Sequence, residues 1–299
     1  MKQSRDDTFQ TFLKALGIVA LVAAAAGAIA FVWPTRATPE RFVYRTINGF
    51  NLSLDVYRPT GWATTDSRPA VVWFFGGGWE VGGPLQFSKQ AERISQLGLV
   101  AFTPDYRVRS RHGKNSTPLD SVEDAEFAIR WIRIHAGELG IDANRIAIGG
   151  GSSGGQLAAA CAVLKSDTSD QTGGPDASYA PNALILYNPV LDFEIPAIQR
   201  RVSPTQMTSL TTVSPIHQIK QPLPPTIIFH GTADSIVPIR TSENFVKKAR
   251  ELGSETVELI RYPGKAHEFY LNGPGSRSGF NSTMDEVKAF LSRLGWLKD

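Results

Sequence analysis

From residue 70 onward, short apolar runs alternate with longer stretches in which apolar residues recur every three to four positions. The runs are rich in branched side chains and carry few polar residues, a pattern typical of strands that are buried on both faces of a sheet. The predicted strands cover residues 70–75, 99–105, 145–150, 183–190, 226–231 and 257–264. Helices are predicted over residues 88–98, 122–140, 156–165, 242–253 and 282–295. This alternation predicts an α/β fold, in which helices cover both faces of a mostly parallel sheet.

An antiparallel hairpin is predicted to precede these units. Alternating patterns occupy residues 42–47 and 50–59, and Asn48-Gly49 lies between them. Asparagine and glycine tolerate the positive φ that a two-residue hairpin turn requires. We therefore expect the sheet to begin with two antiparallel strands.

Residues 1–35 are predicted to lie outside the folded domain, which would then cover residues 36–299. An uncharged run from Ala15 to Trp33 follows three basic residues. A run of this length is long enough to span a bilayer as an anchor. Its alanine-rich centre and the Ala28-Ile29-Ala30 triplet equally fit a cleaved signal peptide. Both alternatives predict export, either to the cell envelope, with membrane contact through this segment alone, or by secretion.

Composition argues against several other classes of function. The formal net charge is only +3 and there is no basic run, so nothing predicts a nucleic-acid partner. Cys161 is the only cysteine, which rules out an internal disulfide. The sequence has no phosphate-binding glycine loop and no group of histidine, cysteine or acidic residues with the spacing of metal ligands. We therefore expect neither a cofactor nor a metal.

Chemically active residue types follow the predicted strands at their carboxyl ends, where the active sites of such sheets lie. Gly76-Gly77-Gly78 follows the first of these strands, and Ser152 and Ser153 follow the third. Asp234 and His267 come after the last two. A serine, an acid and a histidine are therefore predicted to meet at one edge of the sheet. The pattern Gly-x-Ser-x-Gly fits either serine, because the two are adjacent within a run of glycines.

Each of these groups has a role in nucleophilic catalysis. An imidazole takes the proton of a serine hydroxyl, which is otherwise a poor nucleophile, and a carboxylate orients the imidazole and stabilises its charged form. Glycines beside the serine allow a sharp strand-to-helix turn. Backbone N–H groups of the following helix and of Gly76–Gly78 would stabilise the oxyanion that forms on a substrate. His230, at the end of a buried strand, is predicted to be structural.

The chain resembles the α/β-hydrolase fold, and more closely the hormone-sensitive-lipase-like and acetyl-xylan-esterase-like serine esterases of bacteria. The resemblance extends from about residue 42 to the end and rests on FFGGGW, DYR, GGSSGGQLA, LYNPV, FHGTAD and YPGKAHEF. In this family the turn reads Gly-x-Ser-x-Gly-Gly-x-Leu-Ala, which implies that Ser152 is the nucleophile, with Asp234 and His267 as its partners. The family also implies an oxyanion hole formed by the N–H groups of Gly77, Gly78 and Ser153.

Two positions depart from the family pattern. Phe75 stands where the family usually has a histidine, and Gly151 stands where it often has an acidic residue. The implied oxyanion donors are backbone groups, so we expect activity to survive the first change while the packing of the loop differs. The second change removes a charge next to the nucleophile.

The resemblance implies a hydrolase that cleaves carboxylic esters through an acyl-enzyme. Only residues 196–225 stand where enzymes of this kind often carry a large helical cap. A small or absent cap favours short acyl groups on a small-molecule or carbohydrate alcohol, including the deacetylation of a sugar. Two alternatives stay open, namely a serine peptidase on the same fold and a non-catalytic, membrane-tethered binding protein.

Overall fold

The computed structural model describes residues 39–164, 177–199 and 204–297. The strands are β1 (Glu40–Ile47), β2 (Phe50–Tyr57), β3 (Arg68–Phe74), β4 (Val100–Pro104), β5 (Ile141–Gly151), β6 (Ala183–Tyr187), β7 (Thr226–Gly231) and β8 (Val257–Tyr262). They form one eight-stranded sheet in the order β1-β2-β4-β3-β5-β6-β7-β8. Only β1 with β2 and β2 with β4 pair in antiparallel fashion, and the other neighbouring pairs are parallel. The predicted mostly parallel sheet with an antiparallel N-terminal hairpin is confirmed.

The connections between the described strands are largely helical, because parallel neighbours cannot be joined by a tight turn. The helices are α1 (Ser88–Gln96), α2 (Arg109–His112), α3 (Pro118–Ile134), α4 (Ser153–Val163), α5 (Pro196–Gln199), α6 (Pro204–Thr211), α7 (Pro215–Gln218), α8 (Arg240–Glu251) and α9 (Arg277–Arg293), with a 3-10 helix at Pro84–Phe87. The short helices α5, α6 and α7 occupy the segment between β6 and β7, where the sequence predicts a small or absent cap.

The middle of the sheet forms the core. Every residue of β4, β6 and β7 is buried, and side chains alternate between the two faces of a strand, so both faces of the sheet are covered. Strands β3 and β5 to β8 run in the same direction. Their carboxyl ends, and with them the predicted site residues, therefore lie at one edge of the sheet.

Several element boundaries differ from the sequence prediction by a few residues, and two of these differences have local chemical reasons. Helix α3 begins at Pro118 instead of residue 122, because the Thr117 side chain accepts the N–H of Asp120 and the Asp120 carboxylate accepts the N–H of Thr117. Strand β6 ends at Tyr187, three residues earlier than predicted. Asn188 leaves the strand conformation with φ of 40°, and Pro189 has no N–H for the ladder.

The predicted leader, residues 1–35, lies outside the described residues. The first described strand begins at Glu40, close to the predicted start of the domain at residue 36. Among the helices that the structure describes between residues 39 and 297, none has the length and apolar character needed to cross a bilayer.

Candidate active site

Ser152 lies at the sharp turn between β5 and α4. Its φ and ψ are 54° and −118°, a strained combination for a residue with a side chain. The Ser152 N–H donates to the carbonyl oxygen of Tyr187 on the neighbouring strand at 2.9 Å. A Cβ on Gly154 would lie 2.2 Å from the carbonyl oxygen of Phe74, so a side chain has no room there. Close backbone packing around the turn therefore explains the run of glycines.

The two adjacent serines occupy different environments. Ser153 is the buried first residue of α4, and its Oγ accepts the N–H of Gly78 at 3.0 Å. Ser152 is half-buried and has the strained backbone that is typical of a nucleophile at a strand-to-helix turn. The geometry therefore favours Ser152, the residue that the family resemblance implied.

Asp234 and His267 follow β7 and β8, and the structure brings them together. The His267 Nδ1–H donates to Asp234 Oδ2 at 2.7 Å. Asp234 Oδ1 accepts the N–H groups of Ile236 and Val237, each at 2.9 Å. Burial opposes ionisation of this carboxyl group, but hydrogen bonds from His230 and His267 hold the pKa of Asp234 well below its ordinary value. The ionised carboxylate keeps a proton on His267 Nδ1, which leaves Nε2 to accept a proton from serine.

Asn188 connects two of the three predicted catalytic residues, Asp234 and His267, although the sequence pattern assigned it no role. Its Nδ2 group donates to Asp234 Oδ2 and to the carbonyl oxygen of His267, both at 2.7 Å. The preceding residue, Tyr187, accepts the N–H of Ser152. The serine turn and the loops that carry the acid and the histidine therefore meet at the end of β6. The sequence signal for Asn188 was its place within LYNPV, one of the motifs that carried the resemblance.

His230, the residue predicted to be structural, is fully buried beside Asp234. Its Nε2 lies 2.9 Å from the carbonyl oxygen of Val237 and 3.4 Å from Asp234 Oδ2. A carbonyl oxygen only accepts hydrogen bonds, so Nε2 carries a proton, and Nδ1 lies 2.8 Å from the Ser242 hydroxyl oxygen. The ring therefore connects α8 to the turn that carries the acid.

The predicted oxyanion loop, Gly76–Gly78, follows β3 and packs against the serine turn. A Cβ on Gly76 would lie 3.3 Å from Cβ of Ser152, and the Gly76 N–H donates to Gln86 Oε1 at 2.6 Å. Gly77 has φ of 140°, and a Cβ there would lie 2.1 Å from the carbonyl oxygen of Val81. Glycine is therefore required at this position by both its backbone conformation and its neighbours.

The three predicted oxyanion donors differ in their availability. Among the described residues, the N–H groups of Gly77 and Ser153 have no hydrogen-bond partner. The Gly78 N–H, by contrast, donates to Ser153 Oγ. The difference arises because the residue after the nucleophile is a serine, whose hydroxyl reaches the loop. Two of the three predicted donors thus have no partner within the described part of the chain.

The two departures from the family pattern have a structural explanation. Phe75 stacks on Tyr106 with ring centroids 4.1 Å apart, and the Tyr106 hydroxyl donates to the carbonyl oxygen of Phe75 at 2.7 Å. An aromatic stack thus packs the loop where the family usually has a histidine. At Gly151, a Cβ would lie 2.0 Å from the hydroxyl oxygen of Tyr270. An acidic side chain cannot fit there, because the tyrosine fills its place, and burial raises the pKa of Tyr270 so that it stays neutral.

A second cluster of polar side chains lies in the segment that connects β6 to β7 along the chain. Potential metal-binding atoms of Asp192, Glu194 and His217 lie within 4.8 Å of one another. The sequence did not reveal this group, because His217 comes from α7 while the acids follow β6. His217 Nε2 lies 3.5 Å from Glu194 Oε1, a direct contact between the two side chains.

Comparison with known proteins places these features within one family. Residues 54–249 match the BD-FAE family model. The sequence is 28% identical over 256 residues to the probable carboxylic ester hydrolase LipM of Mycobacterium tuberculosis. That alignment covers 81% of this chain and 58% of LipM, so the chain spans less than two thirds of the length of this relative.

The structure is similar to solved forms of esterase 2 from Thermogutta terrifontis. The form phosphorylated by paraoxon has a TM-score of 0.79 and 39% sequence identity, over 89% of this chain and 98% of the esterase chain. The butyrate-bound form has a TM-score of 0.77 and 39% identity, over 88% of this chain and 97% of the esterase chain. This chain therefore belongs to the BD-FAE family, and it shares the α/β-hydrolase fold with relatives named as carboxylic ester hydrolases and esterases.

Proposed function

We propose that the protein hydrolyses carboxylic esters of short acyl chains, with Ser152 as the nucleophile and an acyl-enzyme as the intermediate. The observation that carries this proposal is the 2.7 Å hydrogen bond between His267 Nδ1 and Asp234 Oδ2, in loops that Asn188 joins at the end of β6, where Tyr187 accepts the N–H of Ser152. The carboxylic ester hydrolases and esterases among the relatives support the reaction class.

The acyl-enzyme forms when the Ser152 hydroxyl attacks the ester carbonyl carbon. His267 Nε2 takes the hydroxyl proton, and Asp234 stabilises the imidazolium that results. The negative charge that develops on the carbonyl oxygen is stabilised by the N–H groups of Gly77 and Ser153. The bond to the alcohol oxygen then breaks, the alcohol leaves with the proton from His267, and the acyl group stays on Ser152.

Water completes the reaction. His267 takes one proton from a water molecule, whose oxygen attacks the acyl carbon. The bond to Ser152 Oγ breaks, the serine recovers its proton from His267, and the carboxylic acid is released. The relative that is phosphorylated by paraoxon supports a covalent route, because phosphorylation requires a nucleophile on the protein.

The preference for short acyl groups follows from the segment between β6 and β7. Its described helices, α5 to α7, are only four to eight residues long. Phe193 from this segment stacks on Trp79, the residue after Gly78, with ring centroids 5.1 Å apart. The stack is buried, and a segment this short cannot enclose a long acyl chain, which favours short acyl groups. The relative that was solved with butyrate bound supports the same preference.

A carbohydrate is the more specific candidate for the alcohol that leaves from the ester. A groove of about 550 Å³ is lined in part by Gln86, the residue whose Oε1 accepts the N–H of Gly76 in the oxyanion loop. Its polar lining consists of Arg41, Asn51, Ser53, Asp55, Gln86, Asp105 and Arg111. An alcohol rich in hydroxyl groups would find both hydrogen-bond donors and acceptors there. We therefore extend the proposal to deacetylation of a carbohydrate.

A hydrolysis screen tests the substrate class. We expect kcat/KM to be highest for p-nitrophenyl esters from acetyl to butyryl and lower for acyl chains of eight or more carbons, because the cap segment is short. Acetylated xylo-oligosaccharides test the carbohydrate candidate in the same assay. A higher kcat/KM on the long esters would contradict the acyl preference. Cleavage of peptide anilides would favour a peptidase instead, and no hydrolysis at all would favour a binding protein.

Covalent labelling tests the choice of nucleophile. We expect a fluorophosphonate to modify Ser152, and Ser152→Ala to abolish both labelling and turnover. Loss of the nucleophile costs about 2 × 10⁶ in kcat in a well-characterised serine protease. Digestion and mass spectrometry locate the adduct. An adduct on Ser153, or one that persists in Ser152→Ala, would identify the other serine as the nucleophile.

We also propose that residues 1–35 direct export of the domain, on the basis of their uncharged run and preceding basic residues. Fractionation of cells that express the full chain is expected to find it in the envelope or the medium. A chain that begins at Arg36 is expected to remain in the cytoplasm and to be soluble and active. The same location for both chains would contradict the proposal.

A further inference from the structure

We propose that Asn188 is a positioning residue for the Asp234–His267 pair. It joins the loops that carry the two residues, and it reduces the negative charge that Asp234 presents to the His267 ring. This inference rests on the proposed function, in which the pair activates Ser152.

Every hydrogen-bonding group of the Asn188 side chain is used. Nδ2 donates to Asp234 Oδ2 and to the carbonyl oxygen of His267, and Oδ1 accepts the N–H of Gly231 at 3.3 Å. The residue is completely buried, so water does not compete for these contacts. A serine has only one donor and an ionised aspartate has none, whereas asparagine has two donors and an acceptor. Among short side chains, asparagine therefore satisfies all three contacts.

The backbone of Asn188 lies in the left-handed region, with φ of 40°. Asparagine adopts this conformation more readily than most residues with a side chain. The residue ends β6, and its own N–H donates to the carbonyl oxygen of Phe229 on β7 at 2.8 Å. Glycine would keep this backbone while it removes the side chain. A glycine substitution therefore separates the conformational role of the residue from its hydrogen bonds.

The effect on charge concerns Asp234 Oδ2. This oxygen accepts from Asn188 and His267, each at 2.7 Å, and His230 Nε2 lies 3.4 Å away. Without the neutral donor of Asn188, more of the negative charge would be available to stabilise protonated His267. Asp234 Oδ1 would keep its two backbone donors, so the carboxylate would stay in place. The other titratable groups that face the pair are His230, from β7, and Tyr270, from the segment after β8.

Two variants, Asn188→Gly and Asn188→Asp, test the proposal, with Asn48→Gly as the matched control. Asn48 has φ of 51° in the exposed turn between β1 and β2, so its replacement reproduces the backbone change away from the site. The readouts are the pH dependence of kcat/KM for p-nitrophenyl acetate and the pH titration of the His267 ring followed by NMR. Circular dichroism and thermal unfolding check the fold. Asn188→Asp keeps the size of the side chain and is informative if the glycine variant does not fold.

We expect kcat to fall by about 10- to 100-fold in both Asn188 variants, since a misplacement of about 1 Å can cost up to 10² in rate. The acid limb of kcat/KM and the midpoint of the His267 titration are expected to move to higher pH in Asn188→Gly. They are expected to move further in Asn188→Asp, because a second carboxyl group adds negative charge beside the ring. Asn48→Gly is expected to match the wild-type protein in both readouts.

The proposal is overturned if the acid limb of kcat/KM and the midpoint of the His267 titration both stay at the wild-type pH in the two Asn188 variants, even if kcat falls. A purely structural role lowers the rate without moving either quantity. Wild-type protein that does not hydrolyse the ester would contradict the proposed function instead. The NMR titration needs no substrate, so it would still decide the role of Asn188.

Discussion

The acid–histidine side of the candidate site is assembled from side chains, whereas the proposed oxyanion side is assembled from backbone N–H groups. On the first side, Asp234 Oδ2 accepts from both His267 and Asn188 at 2.7 Å, and His230 packs beside them. The polar atoms that form these hydrogen bonds belong to the side chains themselves. A change of residue type on this side therefore changes the chemistry directly.

On the oxyanion side, the free N–H of Gly77 belongs to the backbone, and side chains only hold the loop in place. Gln86 Oε1 accepts the N–H of Gly76, and Ser153 Oγ accepts the N–H of Gly78. Loss of one of these side chains leaves the oxyanion donors on the chain. An added side chain at Gly77, in contrast, would displace them, because the loop has no space for it.

The two sides should therefore respond to opposite kinds of substitution. A change that keeps size but alters a polar atom should be most damaging on the acid–histidine side. A change that keeps the backbone atoms but adds a methyl group should be most damaging on the oxyanion side. Three substitutions test this difference, in decreasing order of expected effect.

Asp234→Asn is expected to have the largest effect, although it keeps the size of the side chain. The corresponding change in a serine protease lowers kcat about 10⁴-fold, because the histidine is held in the wrong tautomer. We expect a loss of similar size in kcat for p-nitrophenyl acetate. Asp142→Asn is the matched control, since Asp142 also accepts a backbone N–H two residues along the chain but lies outside the site. Near-wild-type kcat in a folded Asp234→Asn variant would remove the difference between the two sides.

Gly77→Ala is expected to lower kcat by about 10²- to 10³-fold, the typical cost of one lost oxyanion donor. The new Cβ would lie 2.1 Å from the carbonyl oxygen of Val81, so the loop must shift. Gly113→Ala is the control, because Gly113 also has a positive φ, 102°, but has open space around it. Steady-state kinetics and thermal unfolding of both variants are the measurements. Equal kcat values for the two variants would show that displacement of the loop does not matter.

Ser153→Ala is expected to have the smallest effect, a loss in kcat of less than about tenfold, since a neutral hydrogen bond contributes about 1 kcal/mol. Alanine keeps the backbone N–H of residue 153 and removes the contacts of Ser153 Oγ with the Gly78 N–H and the Tyr106 hydroxyl. The measurement is the kcat of Ser153→Ala, compared with the kcat of Ser152→Ala. Loss of turnover as complete as in Ser152→Ala would mean that the Ser153 side chain takes part in the reaction.

Most of the fold was predictable because its signals are local. The apolar run at residues 226–231 became β7 with the same bounds, and Asn48-Gly49 forms the predicted hairpin turn. The early end of β6 was not predicted, because the predicted strand was extended from the apolar run at residues 183–187 across Asn188 and Pro189 to Val190, and all of these residues are buried. Periodicity reports burial, and a residue beyond the end of a strand can be as buried as one within it.

The site was predictable to the extent that its residue types stand at strand ends. The order of strands and the sharp glycine turn placed Ser152, Asp234 and His267 at one edge, and the structure joins the last two. The choice between the serines depended on resemblance, because the Gly-x-Ser-x-Gly pattern fits both. The different environments of Ser152 and Ser153 emerged only from the structure, in the strained backbone of Ser152 and in the burial of Ser153 and its contact with Gly78.

The sequence by itself determined the α/β architecture, the position of the chemistry at one edge of the sheet and the residue types available there. These follow from periodicity and from residues next to strand ends, which are properties of short stretches. Only the tertiary structure decided that Asn188 binds both Asp234 and His267, and that Tyr270 fills the space beside Gly151. Each of these contacts joins residues from segments that are far apart along the chain. The spacing of these residues along the chain does not predict the contacts, because only the packing of the sheet brings the segments together.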